Sequence, residues 1–376
     1  MLEYNYIIIL INTIKKRLQL IFKEISYGIF KLLYGSVERI ETNSENIEII
    51  NSIFENHLNY KIYLVKNSRI YTDTIHDTAF IKNNFIIQGP SFQFRNNVIA
   101  DCNKNIVFKK GTPRIKKKLK GKIFSLLTGG GGNSNYYHWL FDVLPRLIIL
   151  RKEINLNSID YFLLPDTVLP FQKESLDLLN IPLKKRISSQ KFRHVESDEI
   201  LSVDHPCIIL NDPLKDNNDI PNWIIDFYKN EVKNKISFKN TPKKIFIDRG
   251  DSQSNIKHLR KIINENEVKM FLKSNGFDII KLSLLSFKNQ IELFHNSKII
   301  VGLHGAGFSN ILFCQPKTKV IEIKPLHVGN QLEKLGNKLN LDYVNLESPS
   351  ENINLKFPNQ LGDIRVDLKE LKKELI

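Results

Sequence analysis

Two short stretches carry side chains suited to acid–base chemistry or anion binding. The first, TGGGGNSNYYHWLFDVLPRL (residues 128–147), places four glycines directly before an aromatic run that contains His138 and Asp142. Glycine loses much conformational freedom on folding, so such a run typically marks a tight turn or a close approach to a ligand. The spacing of His138 and Asp142, i and i+4, brings both to one face of a helix. The stretch therefore predicts a histidine–carboxylate pair beside a ligand site.

The second stretch is VGLHGAGFSN (residues 301–310), where an apolar strand ends in a glycine turn. Gly305 and Gly307 let the chain turn tightly into a helix that we expect to begin near Phe308. Free N–H groups at a helix start bind phosphate, and His304 at the end of the strand can donate to the same anion. The alternative is an ordinary strand-to-helix turn with no ligand.

Three further charged residues belong to the same part of the chain. Glu322 lies within the apolar strand VIEIKP, where an unpaired acid is costly. It either accepts the two hydroxyls of a ribose or forms a structural ion pair. Arg249 and Arg260 follow another strand and suit recognition of a diphosphate or a base, although each taken singly fits a solvated surface position.

The elements around these residues predict an α/β protein. From residue 243 to about residue 346, apolar strands alternate with amphipathic helices, which indicates a parallel sheet covered on both faces. Ligands of such sheets bind at the carboxyl ends of the strands. Residues 48–128 contain short β-rich segments, and a helix is expected from about 135 to 151. We therefore expect two α/β units, the second of them Rossmann-like.

Composition and charge bound the function. The 376 residues are 42% hydrophobic and 25% charged, which is typical of a globular protein, and the net charge of +15 suggests an anionic partner. No RNP, helix-turn-helix or zinc pattern supports nucleic acid as that partner. The three cysteines are widely separated, so neither a disulfide framework nor a zinc site is expected, and a reducing compartment is the simplest inference.

Two basic segments have open interpretations. Residues 1–36 predict a basic amphipathic helix, which either lies in a membrane interface or packs on the rest of the protein. Its apolar start is too short to span a bilayer and lacks the pattern of a secretory signal. The lysine-rich RIKKKLKGK (residues 114–122) is either a solvated loop or a contact for phosphate or lipid.

Three stretches together resemble the family 61 glycosyltransferases. They are HWLFDVLPRL (138–147), RKIINENEV (260–268) and GLHGAGFSNILFCQPKTKVIEIKP (302–325), which occur in the family's order and extend the resemblance over about half of the chain. The resemblance implies a GT-B-like fold, with two Rossmann-like domains facing across a cleft and a β-rich N-terminal part. It also implies a nucleotide-sugar donor, inversion at the anomeric carbon and no required metal or cofactor. The absence of any Asp-x-Asp motif agrees with the last point.

The chemistry that the resemblance implies suggests roles for individual residues. An inverting transfer needs a base for the acceptor hydroxyl. His138 oriented by Asp142 fits this role, Asp142 as the base fits equally, and a purely supporting role of His138 under the glycine turn is the structural alternative. Arg146 either balances the charge of the pair or holds an acidic acceptor. The acceptor-side loop is expected to include Gly131, Gly132 and Asn133. The donor site is expected to comprise Arg249, Arg260, His304, Gly305, Ala306, Gly307, Asn310 and Glu322.

The complete hypothesis is an inverting glycosyltransferase of surface polysaccharide biosynthesis. It is expected to use a nucleotide-sugar, preferably a UDP-sugar, and a glycan or lipid-linked glycan acceptor, in the cytoplasm at the inner face of the membrane, with a peripheral contact through residues 1–35. The expected divisions are the N-terminal helix 1–36, an acceptor-side domain 37–225, a donor-binding domain 240–350 and a C-terminal tail and helix 351–376. The alternatives are a catalytically silent glycan-binding protein of the same fold and a basic nucleic-acid-binding protein.

Overall fold

A computed structural model gives the architecture of the chain. The structure describes all residues except 1, 42–46, 73–77, 92, 96–97, 101, 129–134, 167–168, 209–218, 237–240, 251–259, 327, 352–361 and 376. The predicted acceptor-side residues Gly131, Gly132 and Asn133 lie outside the described residues.

Helices and strands of the described residues form a mixed α/β protein, as the sequence predicts. The α-helices are α1 (Leu2–Tyr34), α2 (Val107–Lys110), α3 (Tyr136–His138), α4 (Pro145–Glu153), α5 (Pro170–Leu178), α6 (Asn222–Phe227), α7 (Glu265–Ser274), α8 (Phe287–Asn296), α9 (Gln331–Lys338) and α10 (Leu368–Glu374). Two π-helical turns lie at Trp139–Val143 and Tyr228–Val232. The 3₁₀ helices are Glu55–His57, Cys102–Lys104, Leu156–Ser158, Leu183–Lys185, Lys233–Lys235, Leu282–Leu284 and Ala306–Phe313.

The strands form two large sheets and two small ribbons. They are β1 (Glu38–Glu41), β2 (Ile47–Ile53), β3 (Asn59–Thr72), β4 (Thr78–Lys82), β5 (Phe85–Ile87), β6 (Gln93–Arg95), β7 (Val98–Ala100), β8 (Lys117–Ser125), β9 (Tyr161–Leu164), β10 (Arg186–Ser188), β11 (His194–Val203), β12 (Lys244–Ile247), β13 (Asp278–Ile280), β14 (Ile299–Leu303), β15 (Lys319–Pro325), β16 (Asp342–Ser348), β17 (Ser350–Glu351) and β18 (Asp363–Ile364).

The first sheet is mixed. Its nine strands follow the order β1-β5-β4-β3-β11-β8-β9-β10, with β2 paired to β3. The strands β11, β8, β9 and β10 run parallel to one another, whereas β3 pairs antiparallel with β2, β4 and β11. The long hairpin-like ribbon around β3 accounts for the β-rich character of the N-terminal half, and the parallel part lies beside the helices that carry His138.

The second sheet is entirely parallel and contains a topological switch point. Its order is β13-β12-β14-β15-β16, so the chain first adds a strand on one side of β12 and then continues on the other side. Ligands of such sheets bind at the carboxyl ends of the two strands where the order reverses, here β12 and β14. Arg249 follows β12 and His304 follows β14, so both residues lie at this edge.

A shared hydrophobic core joins the two sheets. One cluster of buried side chains includes Phe124 and Phe162 of the first sheet together with Ile247 and Ile300 of the second. Between them, the Tyr228 ring packs against Phe313 at 5.9 Å between centroids, and the Tyr228 hydroxyl donates to the carbonyl of Leu140 at 2.6 Å. The helical segment after α6 is therefore the apolar layer between the His138 and His304 regions.

The N-terminal helix extends away from this core. Residues 11–25 are all exposed, whereas several residues in the last turns of α1 are partly buried. The interpretation of α1 as a helix packed on the rest of the protein therefore applies to its last turns and not to residues 11–25. No helix among the described residues has the length and apolarity needed to cross a membrane.

Candidate active site

A π-helical turn positions His138 and Asp142. The Asn135 side chain caps the start of α3 by accepting from the backbone N–H of Tyr137 at 2.9 Å, which fixes where the helix begins after the glycine run. Pro145 has no N–H to donate to the helical hydrogen bonds. Directly before it, the Leu144 N–H donates to the carbonyl of Trp139, five residues earlier, which is the hydrogen-bond spacing of a π-helix. Such π-turns occur frequently at functional sites.

His138 and Asp142 form a close hydrogen-bonded pair. The distance from His138 Nδ1 to Asp142 Oδ2 is 2.6 Å. Because the carboxylate accepts at Nδ1, the Nδ1 proton is retained and the lone pair of Nε2 is available to another group. The His138 side chain is 26% exposed and that of Asp142 is 6% exposed, so solvent reaches the imidazole and barely reaches the carboxylate.

The charges around the pair shift both pKa values. Burial alone would raise the pKa of Asp142, but the charges of His205 and His138 and their hydrogen bonds outweigh it and lower that pKa well below its usual range. Burial alone would lower the pKa of His138, but the Asp142 charge and hydrogen bond reverse the direction and raise it. Asp142 is thus a stable carboxylate that strengthens His138 as a base.

A second histidine–carboxylate pair lies at the carboxyl end of β14. His304 Nδ1 is 2.6 Å from Glu322 Oε1, with Glu322 fully buried on the neighbouring strand β15. Burial lowers the pKa of His304, and the charges of Arg260 and Arg249 act in the same direction while Glu322 opposes them. His304 is therefore neutral near pH 7, with its Nδ1 proton held by Glu322.

Two arginines converge on the backbone of this pair. Arg249 Nη1 and Arg260 Nη1 both donate to the His304 carbonyl, the second at 3.3 Å. Burial and the nearby Arg249 charge lower the pKa of Arg260 to about 10, which leaves it protonated at neutral pH. A Cβ at Gly305 would lie 2.9 Å from Arg249 Cζ, so any other residue here would displace the Arg249 guanidinium. The result is a concentrated positive charge at the switch point.

The turn after His304 begins a 3₁₀ helix, Ala306–Phe313, instead of the α-helix expected near Phe308. Its first backbone bond runs from the Phe308 N–H to the Gly305 carbonyl at 3.0 Å. The amides of Gly305, Ala306 and Gly307 thus precede the bonded ladder, as donors at a helix start do. The helix type and start therefore differ from the prediction, whereas the glycine turn directly before the helix agrees with it, and anion binding here stays a prediction.

A buried hydrogen bond connects the two pairs. The Tyr136 hydroxyl, two residues before His138, donates to Asn310 Oδ1 at 2.6 Å. The Asn310 side-chain amide in turn donates to Gln290 Oε1 at 3.0 Å and to the Gly307 carbonyl at 3.1 Å. The helix that carries His138 is thereby fastened to the 3₁₀ helix that follows His304.

Comparison with known families identifies the region that holds these residues. Residues 136–321, which contain His138, Asp142 and His304, match the model of the family described as Glycosyltransferase 61, and Glu322 follows directly after the matched range. The chain is a family 61 glycosyltransferase.

Similarity to curated proteins is local. The EGF domain-specific O-linked N-acetylglucosamine transferase of Rattus norvegicus is 30% identical over 108 residues, 27% of this chain and 20% of that protein. The protein of the same name from Bos taurus is 36% identical over 69 residues, 17% of this chain and 13% of that protein. The transferase therefore matches a fifth or less of the length of these relatives.

Three predicted site residues of the transferase are enclosed. Glu322 is fully buried behind His304, so the structure favours a structural role, as acceptor of the hydrogen bond from the neutral His304, over contact with a ribose. Asn310 is fully buried, and its amide bonds within the protein, which makes it a positioning residue. Arg146 is 3% exposed and donates to Ser202 Oγ at 2.9 Å. Its charge therefore interacts with the carboxylates of Asp204 and Asp142 inside the protein and does not face an acceptor.

Two residues of the site were not anticipated from the sequence. His205 Nε2 lies 3.6 Å from Asp142 Oδ2, and its Nδ1 accepts from the Cys207 N–H at 3.2 Å, which directs its remaining N–H toward the carboxylate. Its position directly after β11 was the available signal, since functional residues gather at strand ends. Tyr136 carried no comparable signal. Among the described residues, no group of three or more His, Cys, Asp or Glu is arranged to hold a metal ion.

Proposed function

We propose that the protein transfers a sugar with inversion from a nucleotide-sugar to a hydroxyl acceptor, with His138 as the base. The observation that carries the proposal is the placement of an accessible histidine–carboxylate pair beside an arginine-rich helix start, the two joined by the Tyr136–Asn310 bond. A base and an anion site are the two elements that such a transfer needs.

In the proposed reaction the acceptor oxygen attacks the anomeric carbon from the face opposite the leaving group. Nε2 of His138 takes the hydroxyl proton as the new carbon–oxygen bond forms, and the bond to the diphosphate breaks with its electron pair. Asp142 holds the tautomer and stabilises the imidazolium. The greater exposure of His138 supports it as the base over Asp142, the alternative that the sequence left open.

On the donor side, we assign the developing negative charge of the nucleoside diphosphate to Arg249, Arg260 and the amides of residues 305–307. Fixed donors and charges at the position where charge develops lower the barrier because they need no reorganisation. Glu322 orients His304. This assignment needs no cofactor and no metal ion, in keeping with the lack of an Asp-x-Asp motif.

We propose a UDP-sugar as donor and a glycan, free or lipid-linked, as acceptor in surface polysaccharide biosynthesis. The names of the curated relatives make N-acetylglucosamine the first sugar to test, and they add a second candidate acceptor, a protein hydroxyl. We further propose a GT-B-like arrangement, with residues 37–225 on the acceptor side and residues 240–350 on the donor side. We also propose a cytoplasmic position at the inner face of the membrane, with α1 in the membrane interface.

The decisive test is calorimetry with UDP, GDP, CMP and ADP on the wild type, on Arg260→Ala and on Lys261→Ala. Lys261 is an exposed neighbour and serves as the matched control. One nucleotide should bind selectively, and Arg260→Ala should weaken it by about 10- to 100-fold, since a hydrogen bond to a charged group contributes about 1.5–3 kcal/mol. Lys261→Ala should leave the affinity unchanged. If no nucleotide binds, the proposed donor chemistry is wrong.

Turnover distinguishes the enzyme from its alternatives. His138→Gln should abolish sugar transfer while nucleotide binding persists; a wild type that binds glycan without turnover would instead be a silent binding protein. Steeply salt-dependent binding to random duplex would support the nucleic-acid alternative.

A further inference from the structure

We infer that the groove between the last turns of α1 and the first sheet binds the phosphate of an anionic membrane-lipid headgroup. The inference rests on the proposed membrane position of the transferase. The groove is formed by α1, residues 113–115 and the start of β11, and it does not include the His138 or His304 pair.

The groove is a basic cavity with an apolar rim. It encloses about 620 Å³ and is lined by Arg114, Lys191 and Arg193, with Phe30 of α1 and the 75%-exposed Ile115 at its edge. None of its lining residues is acidic. Among the residues that the structure describes, the three cationic side chains form no ion pair. Guanidinium and ammonium groups that converge without a carboxylate suit a phosphate diester, and the rim suits the first methylenes of its acyl chains.

The wall of the cavity is held in place by buried hydrogen bonds. His194 Nδ1 donates to the Arg114 carbonyl at 3.0 Å, and His194 Nε2 accepts from Arg69 at 3.1 Å. Arg69 also donates to the Tyr34 carbonyl at 3.3 Å, which fastens the end of α1 to the sheet. The backbone of Arg114 is therefore held relative to α1 by hydrogen bonds within the protein.

The exposed part of α1 continues from the cavity and carries both apolar and cationic residues. Its exposed apolar side chains are Ile11, Ile14, Leu18, Leu20, Ile21, Phe22, Ile25, Ile29, Leu32 and Leu33. The same helix carries Lys15, Lys16, Arg17, Lys23 and Lys31. Opposite charge favours an anionic bilayer as the occupant of this face, whereas a second copy of the helix would bring like charges together.

The test uses the full chain with vesicles of phosphatidylcholine alone and of phosphatidylcholine with phosphatidylglycerol, separated by sedimentation. One variant removes the cavity cations, Arg114→Gln, Lys191→Gln and Arg193→Gln. The matched control removes three distant exposed cations, Lys273→Gln, Lys288→Gln and Lys334→Gln. The wild type should prefer the anionic vesicles; the cavity variant should lose about tenfold or more in affinity, and the control should change little.

A second measurement separates a headgroup site from diffuse charge attraction. Monomeric short-chain phosphatidylglycerol, titrated by calorimetry, should bind the wild type and the control but not the cavity variant, and inorganic phosphate should bind more weakly. Equal vesicle binding by the cavity variant and the control overturns the cavity site while the membrane position stands. Equal affinity for inorganic phosphate, or self-association through α1 in sedimentation velocity, also overturns it. Failure of the wild type to bind either vesicle removes the membrane position itself.

Discussion

The two histidine–carboxylate pairs have the same hydrogen bond and opposite electrostatics. In each, Nδ1 lies 2.6 Å from a buried carboxylate oxygen. The pKa of His138 is raised because the Asp142 interactions overcome burial, whereas the pKa of His304 is lowered because burial and two arginine charges overcome Glu322. The bond therefore fixes the tautomer of each ring, and the surrounding charges decide its protonation.

This difference suits the two proposed tasks. A base for a hydroxyl benefits from increased proton affinity, which Asp142 provides to His138. A neutral His304 avoids a third positive charge beside Arg249 and Arg260 while the donor site is empty. A bound diphosphate would supply negative charge and favour protonation of His304, so the second pair should respond to the ligand and the first should not.

The largest expected effect is a difference in kcat between variants of the two carboxylates, Asp142 and Glu322. Asp142→Asn should lower kcat by about 10²–10⁴, because asparagine cannot hold the same tautomer or stabilise an imidazolium. Glu322→Gln should act mainly on nucleotide binding, with a smaller loss of kcat at saturating donor. Steady-state kinetics and calorimetry on both variants, with circular dichroism as a folding control, test this. Equal losses of kcat would mean that the pairs do not have separate roles.

A smaller effect concerns the pH dependence of turnover. The neutral form of His138 is the proposed base, so kcat/KM should rise with pH through a pKa above the ordinary histidine value. Asp142→Asn removes the charge that raises this pKa, so the rising limb measured on the residual activity should move toward lower pH. If the rising limb of the pH profile moved in Glu322→Gln and not in Asp142→Asn, the assignment of His138 as the base would be contradicted.

The smallest effect is proton uptake on nucleotide binding. If the diphosphate raises the pKa of His304, binding takes up protons whenever the pH lies between the free and bound values, and affinity falls as the pH rises. Calorimetry in buffers of different ionisation enthalpy should detect uptake in the wild type and in His138→Gln but not in His304→Asn. Because the nucleotide phosphate also titrates, the difference between variants is the test, and equal uptake in all three would rule out His304.

Local sequence patterns predicted most of the second sheet and much of the site. Apolar runs placed the strands β14 and β15 correctly, and the glycines of HGAGFSN marked the turn between β14 and the next helix. The i, i+4 spacing of His138 and Asp142 predicted their contact, although a π-turn replaces part of the expected α-helix. Such patterns succeed because period and glycine geometry are properties of a few consecutive residues.

Contacts between distant segments were not accessible in this way. His205 is 63 residues from Asp142 in the sequence, and Tyr136 is 174 residues from Asn310. Nothing in the local pattern distinguishes Glu322 as a ribose ligand from Glu322 as the buried partner of His304. The burial that decides between these roles arises only in the folded protein, where β15 lies between β14 and β16.

The sequence by itself determined the α/β class, the histidine–carboxylate spacing and the glycine turn, because each follows from residues close together in the chain. The tertiary structure alone decided which histidine is accessible, which carboxylate is enclosed and how many charges surround each ring. Electrostatic energies depend on distance and burial in space, so the opposite pKa shifts of His138 and His304 emerge only once both sheets have packed.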